Sequence, residues 1–309
     1  MHKYGYGPAH PPQYYFLRPA ICSRKLLLAT VLVLASVSVF VPLSTARAVL
    51  VAELPASVVT GEALLATVLA PHEGQVNFVW LDKNIQVPTF FGPRGHYAQA
   101  LLPVPLDEKR KSLVLTIGMR TLPEQRYELQ VLDKKRPVQK LDVQPGYVQP
   151  PPEVQARIAR ETKRTRALLG NISPQRYWNL PFKRPVPGSI SSEFGLRRVF
   201  NGQPRSPHKG LDLRGAEGTP VLALSDGVVV LAEELYFSGN VVYLDHGLGV
   251  HSIYAHLSAI EVRPGERVQG GQQLGKVGST GRVTGPHLHL GCYALGMAVD
   301  PVPLLENTP

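Results

Sequence analysis

The sequence predicts an all-β, mainly antiparallel protein, and three observations carry that expectation. Proline and glycine number 29 and 28 among 309 residues, which cuts the chain into short runs bounded by turns. Those runs alternate apolar and polar residues at the period of a strand. A single stretch, 153–169, is instead rich in helix formers and ends on Gly170, a natural stop.

The length suits about two domains. With 44% apolar and 18% charged residues the composition is that of a folded chain. At the N-terminus, residues 26–43 form an apolar run, and Ala46 and Ala48 follow in an A-x-A cleavage pattern. A secretory signal cut after Ala48 fits this pattern. A retained inner-membrane anchor also fits, because the run is about long enough to span. Both readings export the remainder. The formal charge is +10, half of it on Lys3, Arg18, Arg24, Lys25 and Arg47. The rest is diffuse, compatible with an anionic wall polymer or membrane surface. No aromatic-basic motif is seen, so no nucleic-acid partner is expected.

Cys22 precedes the apolar run, which leaves Cys292 as the single thiol of a mature chain. No internal disulfide can form, and Cys292 reads as an inert core residue. Any metal site must therefore be built from histidine and carboxylate.

Residues 49–150 read as a small β-sandwich or meander, from "SVVTGEALLATVLAP" through "GQVNFVWLD", "YAQALLPVPL" and "KSLVLTIGM" to "RYELQVLD". His72 and His96 lie there without a partner at ligand spacing. Residues 151–176 are assigned to a proline-rich joint and connector helix: "QPGYVQPPPE", which begins at 144, is stiff and extended, and the helix follows with Val154, Ile158 and Thr165 along one face. From 177 to 309 short strands return, and six of the ten histidines fall between 208 and 289.

Within "GPHLHL", strand alternation puts His287 and His289 on one face and Leu288 and Leu290 on the other. In "VHSIYAHL" the same count groups Ser252, Tyr254 and His256 and excludes His251, provided no bulge interrupts the strand. His246 falls at the turn before it and reads as structural or exposed. In "SPHKGLDL", Pro207 and Gly210 rule out a helix, so His208 and Asp212 must converge from a loop and the strand after it. Gly210 supplies the expected bend. Three protein ligands of this type leave a fourth zinc position open, which is the catalytic pattern.

The ordered motifs "RSPHKGLDL", "GNVVYLDHGLGVHSIYAHLS" and "GSTGRVTGPHLHL" closely resemble the lysostaphin/LytM-type zinc endopeptidases, which cut peptide cross-bridges or stems of bacterial peptidoglycan. The resemblance runs from about Trp178 to Pro303. It implies a C-terminal LytM-type β-sheet groove domain binding one Zn2+ per chain. His208, Asp212 and His289 would be its ligands, and His287 and His256 the catalytic pair. Tyr254, placed on the face of His256, would add a substrate contact. The implied substrate is peptidoglycan in the periplasm, at the D-Ala–meso-diaminopimelate cross-link. The alternative is a non-catalytic LytM-type activator of another wall hydrolase, a class that typically lacks one or more of these five residues. The upstream β module would position the enzyme or shield its groove, and any regulatory partner protein is unknown. After H-x-H many relatives carry Phe-Glu, whereas this chain has Gly291 and Cys292 following Leu290, so the groove wall is expected to differ.

Overall fold

Strict alternation decides the first module. In the strand Gln75–Trp80, Val76, Phe78 and Trp80 are fully buried while Gln75, Asn77 and Val79 are not, the signature of a sheet with one face on a core. The computed structural model describes residues 48–306 apart from 121, 143 and 144. The apolar run 26–43 lies outside them. Among the described residues no helix is long and apolar enough to cross a membrane.

The module is built from two sheets. One has five strands, ordered Ser57–Val59, Leu122–Leu132, Ser112–Met119, Gln75–Trp80 and Lys83–Pro88. The other has four, ordered Val51–Glu53, Ala63–Ala70, Gly95–Pro103 and Phe90–Gly92. Their inner faces share one core, and Trp80 Nε1 donates to Pro103 O across it at 2.7 Å.

A ten-stranded sheet dominates the second half. Leu211–Arg214 pairs antiparallel with His287–Ala294, which pairs antiparallel with Val250–Ile260 and through it with Gly239–Gly247. Leu211, Leu213, Tyr254, Leu288 and Leu290 fill the core on one face, and none is exposed. Each buried leucine contributes roughly 1.5–3 kcal/mol to the fold. The opposite face carries His287 and His289. Further along it, Ile253, Ala255 and Tyr243 are covered by Leu168 and Leu169 of the helix Pro152–Gly170. That helix is half-buried at Val154, Ile158 and Thr165, as its apolar face predicts. Arg157 and Arg164 pair with Glu234 and Glu233 of the sheet, and Glu161 accepts the Tyr236 N–H at 2.9 Å.

The expected joint is not extended throughout: Pro145–Val148 is a short helix, and Val148 is buried with its carbonyl accepting from Arg205 at 2.7 Å. Just before it, Val138–Leu141 of the expected β module pairs parallel with Arg197–Phe200. The two halves also exchange core residues. Leu101 lies in the second core, while Leu248 and Leu295 lie in the first.

His246, expected at a turn, is completely buried at the end of Gly239–Gly247. Its Nδ1 lies 2.6 Å from Asp226 O and its Nε2 2.7 Å from Ser252 Oγ. Burial disfavours the imidazolium and lowers its pKa to about 4. The unfolded chain therefore takes up a proton near pH 6.5 that the native chain refuses until about pH 4. The stability is fully present above pH 6.5 and is lost as pH falls through that window. Moving from pH 7 to 5 should cost roughly 2 kcal/mol through His246 alone. Replacing it by non-titrating glutamine (His246→Gln) should shrink the pH 7-to-5 difference in urea-unfolding stability by about that amount. An unchanged difference would show that His246 is not the titrating group.

Candidate active site

Two registers assemble the site. Asp212 stands directly opposite His289, and on the other side of the same strand Ala255 stands opposite His289. His208 comes from the loop before Leu211–Arg214, where its backbone is tied in by His208 N–Leu196 O and Gly195 N–His208 O bonds of 2.9 and 2.8 Å.

The donor atoms form a small triangle. His208 Nε2 is 3.0 Å from Asp212 Oδ1, His289 Nδ1 is 2.8 Å from that oxygen, and the two nitrogens are 3.1 Å apart. One point can lie about 2.0–2.2 Å from all three, the range of zinc–nitrogen and zinc–oxygen bonds. The chemistry of the donors asks for a cation as well. His208 Nδ1 sits 2.8 Å from Glu193 O, so the ring N–H is spent on that carbonyl. A lone pair on Nε2 then faces the carboxylate oxygen. Burial lowers the His208 pKa to about 4, so at neutral pH a proton does not separate them. Burial alone would raise the Asp212 carboxyl, but the imidazoles of His208 and His289 beside it outweigh this and hold it well below the carboxylate range. The donor set His–Asp–His fits a divalent metal, and these three residues are the ones able to hold it.

Gly210 serves this triangle differently from the expected bend. A Cβ there would lie 2.5 Å from His289 Cε1 and 2.6 Å from Leu290 O, so the glycine makes room for the imidazole.

His256 and His287 stand beside the triangle. Their ring centroids are 5.0 Å apart, His256 is 5.9 Å from the His289 ring, and His287 Nε2 is 3.8 Å from Asp212 Oδ1. His256 Nδ1 meets Thr280 O at 2.9 Å and His287 Nδ1 meets Gly285 O at 2.8 Å. Each ring is thereby fixed with Nε2 free as an acceptor. Burial, with the neighbouring His289 and His287, lowers the His256 pKa to about 3.

The parity count through "VHSIYAHL" fails at a bulge. Asn240 pairs with Leu257 and Val242 with Tyr254, so Ala255 and His256 together oppose Val241. His256 takes φ 67°, a left-handed conformation uncommon outside glycine. The extra residue turns His256 onto the metal face and leaves Tyr254 on the other. Tyr254 is therefore corrected: it is fully buried, its hydroxyl accepting from Leu224 N at 2.9 Å and lying 3.0 Å from Ser252 Oγ. It has no surface to offer a substrate. His251 is also buried, five residues before His256 near the start of the strand. Cys292 is in the core with its thiol pKa pushed up by burial. His72 and His96 belong to the first module.

Sequence reasoning missed two residues. Arg198 donates to Asp212 Oδ2 at 3.0 Å, and Arg282 lines the same groove, of about 150 Å³, as His256, His287 and His289. Neither arginine has a spacing that marks it. Both became visible only when the turn and strand that carry them were placed.

The family model described as Peptidase family M23 matches residues 206–301. A solved structure assigned to peptidase M23, from Pseudomonas aeruginosa, is 30% identical, covers 81% of this chain and 96% of that one, and superposes with a TM-score of 0.63. The chain belongs to peptidase family M23. Curated relatives include peptidoglycan DD-endopeptidase ShyA of Vibrio cholerae, 41% identical over 125 residues, which are 39% of this chain and 29% of that protein. DD-carboxypeptidase/endopeptidase Mpg of Neisseria meningitidis is 43% identical over 120 residues, covering 39% and 28%. The chain thus spans less than a third of the length of these curated relatives.

Gly210→Ala should push His289 from the triangle and lower zinc affinity by about 10–100-fold, read by chelator competition, with the circular dichroism spectrum retained. Unaltered affinity would mean that the close approach at Gly210 does not set the ligand geometry.

Proposed function

We propose that the chain is an exported, zinc-dependent endopeptidase that hydrolyses amide bonds in peptidoglycan cross-links, at D-Ala–meso-diaminopimelate. The observation that carries this reading is the convergence of three metal donors with two further imidazoles whose Nε2 atoms are free, all on one sheet face. The printed names of ShyA and Mpg support the substrate class. One Zn2+ per chain is proposed, held by His208, Asp212 and His289. The non-catalytic activator reading is disfavoured, because it gives no reason for all five residues to be present and converged.

When bound, the ion supplies Lewis acidity, polarising the scissile carbonyl and lowering the pKa of water from 15.7 towards about 7. The chain's own groups do the rest. His287 is the less enclosed of the pair, its side chain 18% exposed, so its Nε2 is the more accessible to an incoming substrate. Its Nε2 takes the proton of the attacking water and returns it to the leaving amine. The carbonyl of Gly285 steadies the cation through Nδ1–H. His256, kept neutral at neutral pH by its burial, accepts a hydrogen bond at Nε2 and orients the water. Arg198 holds Asp212 in place from outside.

His287→Ala should cut muropeptide release from purified sacculi by at least 100-fold, with zinc near one per chain. Mass spectrometry of the products identifies the bond. Surviving turnover would remove His287 from the mechanism, and products lacking new D-Ala ends would remove the cross-link assignment.

A further inference from the structure

Arg282 sits in the turn between Gln273–Val277 and His287–Ala294, inside the groove. Its guanidinium is held by two aromatic rings, with Cζ 4.6 Å from the Phe237 centroid and 5.1 Å from that of Phe200. Such contacts fix a cation over ring faces while leaving its N–H edge unsatisfied. Among the described residues none accepts a hydrogen bond from this guanidinium. Its backbone is equally fixed. Arg282 N donates to Phe237 O at 2.9 Å, and His256 N donates to the next carbonyl, Ser238 O, at 2.9 Å. His256 Nδ1 in turn meets Thr280 O, two residues before Arg282. The arginine and the imidazole are therefore positioned by the same two backbone segments.

The charge around it is unbalanced. Arg198 shares the Phe200 ring at 5.9 Å, and its Nε is buried without a partner. Burial, then Arg198 and Arg205, lower the Arg282 pKa to about 10, so it stays charged at neutral pH. The carboxylate of this groove, Asp212, is already engaged by Arg198, His208 and His289. A partly buried guanidinium beside a second one, with no anion of its own, fits an anion that arrives with the substrate.

We propose that Arg282, flanked by Arg198, is a carboxylate-binding subsite that recognises the free acid next to the scissile nitrogen. This rests on the cross-link reading above. In a D-Ala–meso-diaminopimelate link, the carbon bonded to that nitrogen bears a carboxylate, placing the carboxylate carbon two bonds from the leaving nitrogen. Binding there orients the leaving amine towards His287 and selects against cross-links in which that acid is amidated.

The test uses two muropeptide dimers that differ only in a free or amidated carboxyl on that carbon. The wild type should prefer the free acid by about tenfold or more in kcat/KM, mostly through KM. Arg282→Gln should bring the ratio to about one while zinc content and thermal midpoint hold, and Arg282→Lys should keep part of it. Equal wild-type rates on the two dimers, or equal losses on both in Arg282→Gln, would overturn the subsite and leave the hydrolase standing. Cleavage of neither dimer by the wild type would overturn the hydrolase reading and the subsite with it.

Discussion

The pairing of Leu211–Arg214 with His287–Ala294, in the register that sets Asp212 opposite His289, is the constraint on which the site depends. A one-residue slip would send Leu288 and Leu290 to the groove and both histidines into the core. Four leucines, Leu211, Leu213, Leu288 and Leu290, oppose that slip by being wholly buried on the far face. Asp212 and His289 are thus placed by apolar packing on the side they do not occupy. Backbone carbonyls trim the rings around them, Glu193 O for His208, Thr280 O for His256 and Gly285 O for His287.

The bulge at His256 is the second element of the design. A regular strand would have given Tyr254 and His256 the same face, so one of them would have been misplaced. Doubling Ala255 and His256 against Val241 satisfies both, with the phenol hydrogen-bonded in the core and the imidazole in the groove. A left-handed histidine costs of order 1–3 kcal/mol. It is held there by its own N–H on Ser238 O and its ring on Thr280 O.

Much of this was legible in the residues. Alternation located the strands of both halves and grouped His287 with His289, because period-2 burial is a local property. The motifs carried His208, Asp212 and His256 by resemblance. Parity counting failed at His256, since nothing in "VHSIYAHL" announces where an extra residue enters a ladder. Gly210 was read as a bend, when its reason lies in an imidazole nearly eighty positions away in the chain. Val138–Leu141 was not picked out as a strand because a short parallel pairing leaves no pattern of its own. The two groove arginines were invisible for a related reason: a guanidinium acquires meaning from what fails to neutralise it, and that is a property of three dimensions.

The exchange of core residues between the two halves has a mechanical meaning. With Leu101 seated among the second set of apolar side chains and Leu248 and Leu295 among the first, swinging the upstream sandwich aside would strip oily surface from both at once. The seat of the sandwich against the second sheet is therefore determined when the polypeptide folds rather than by a hinge.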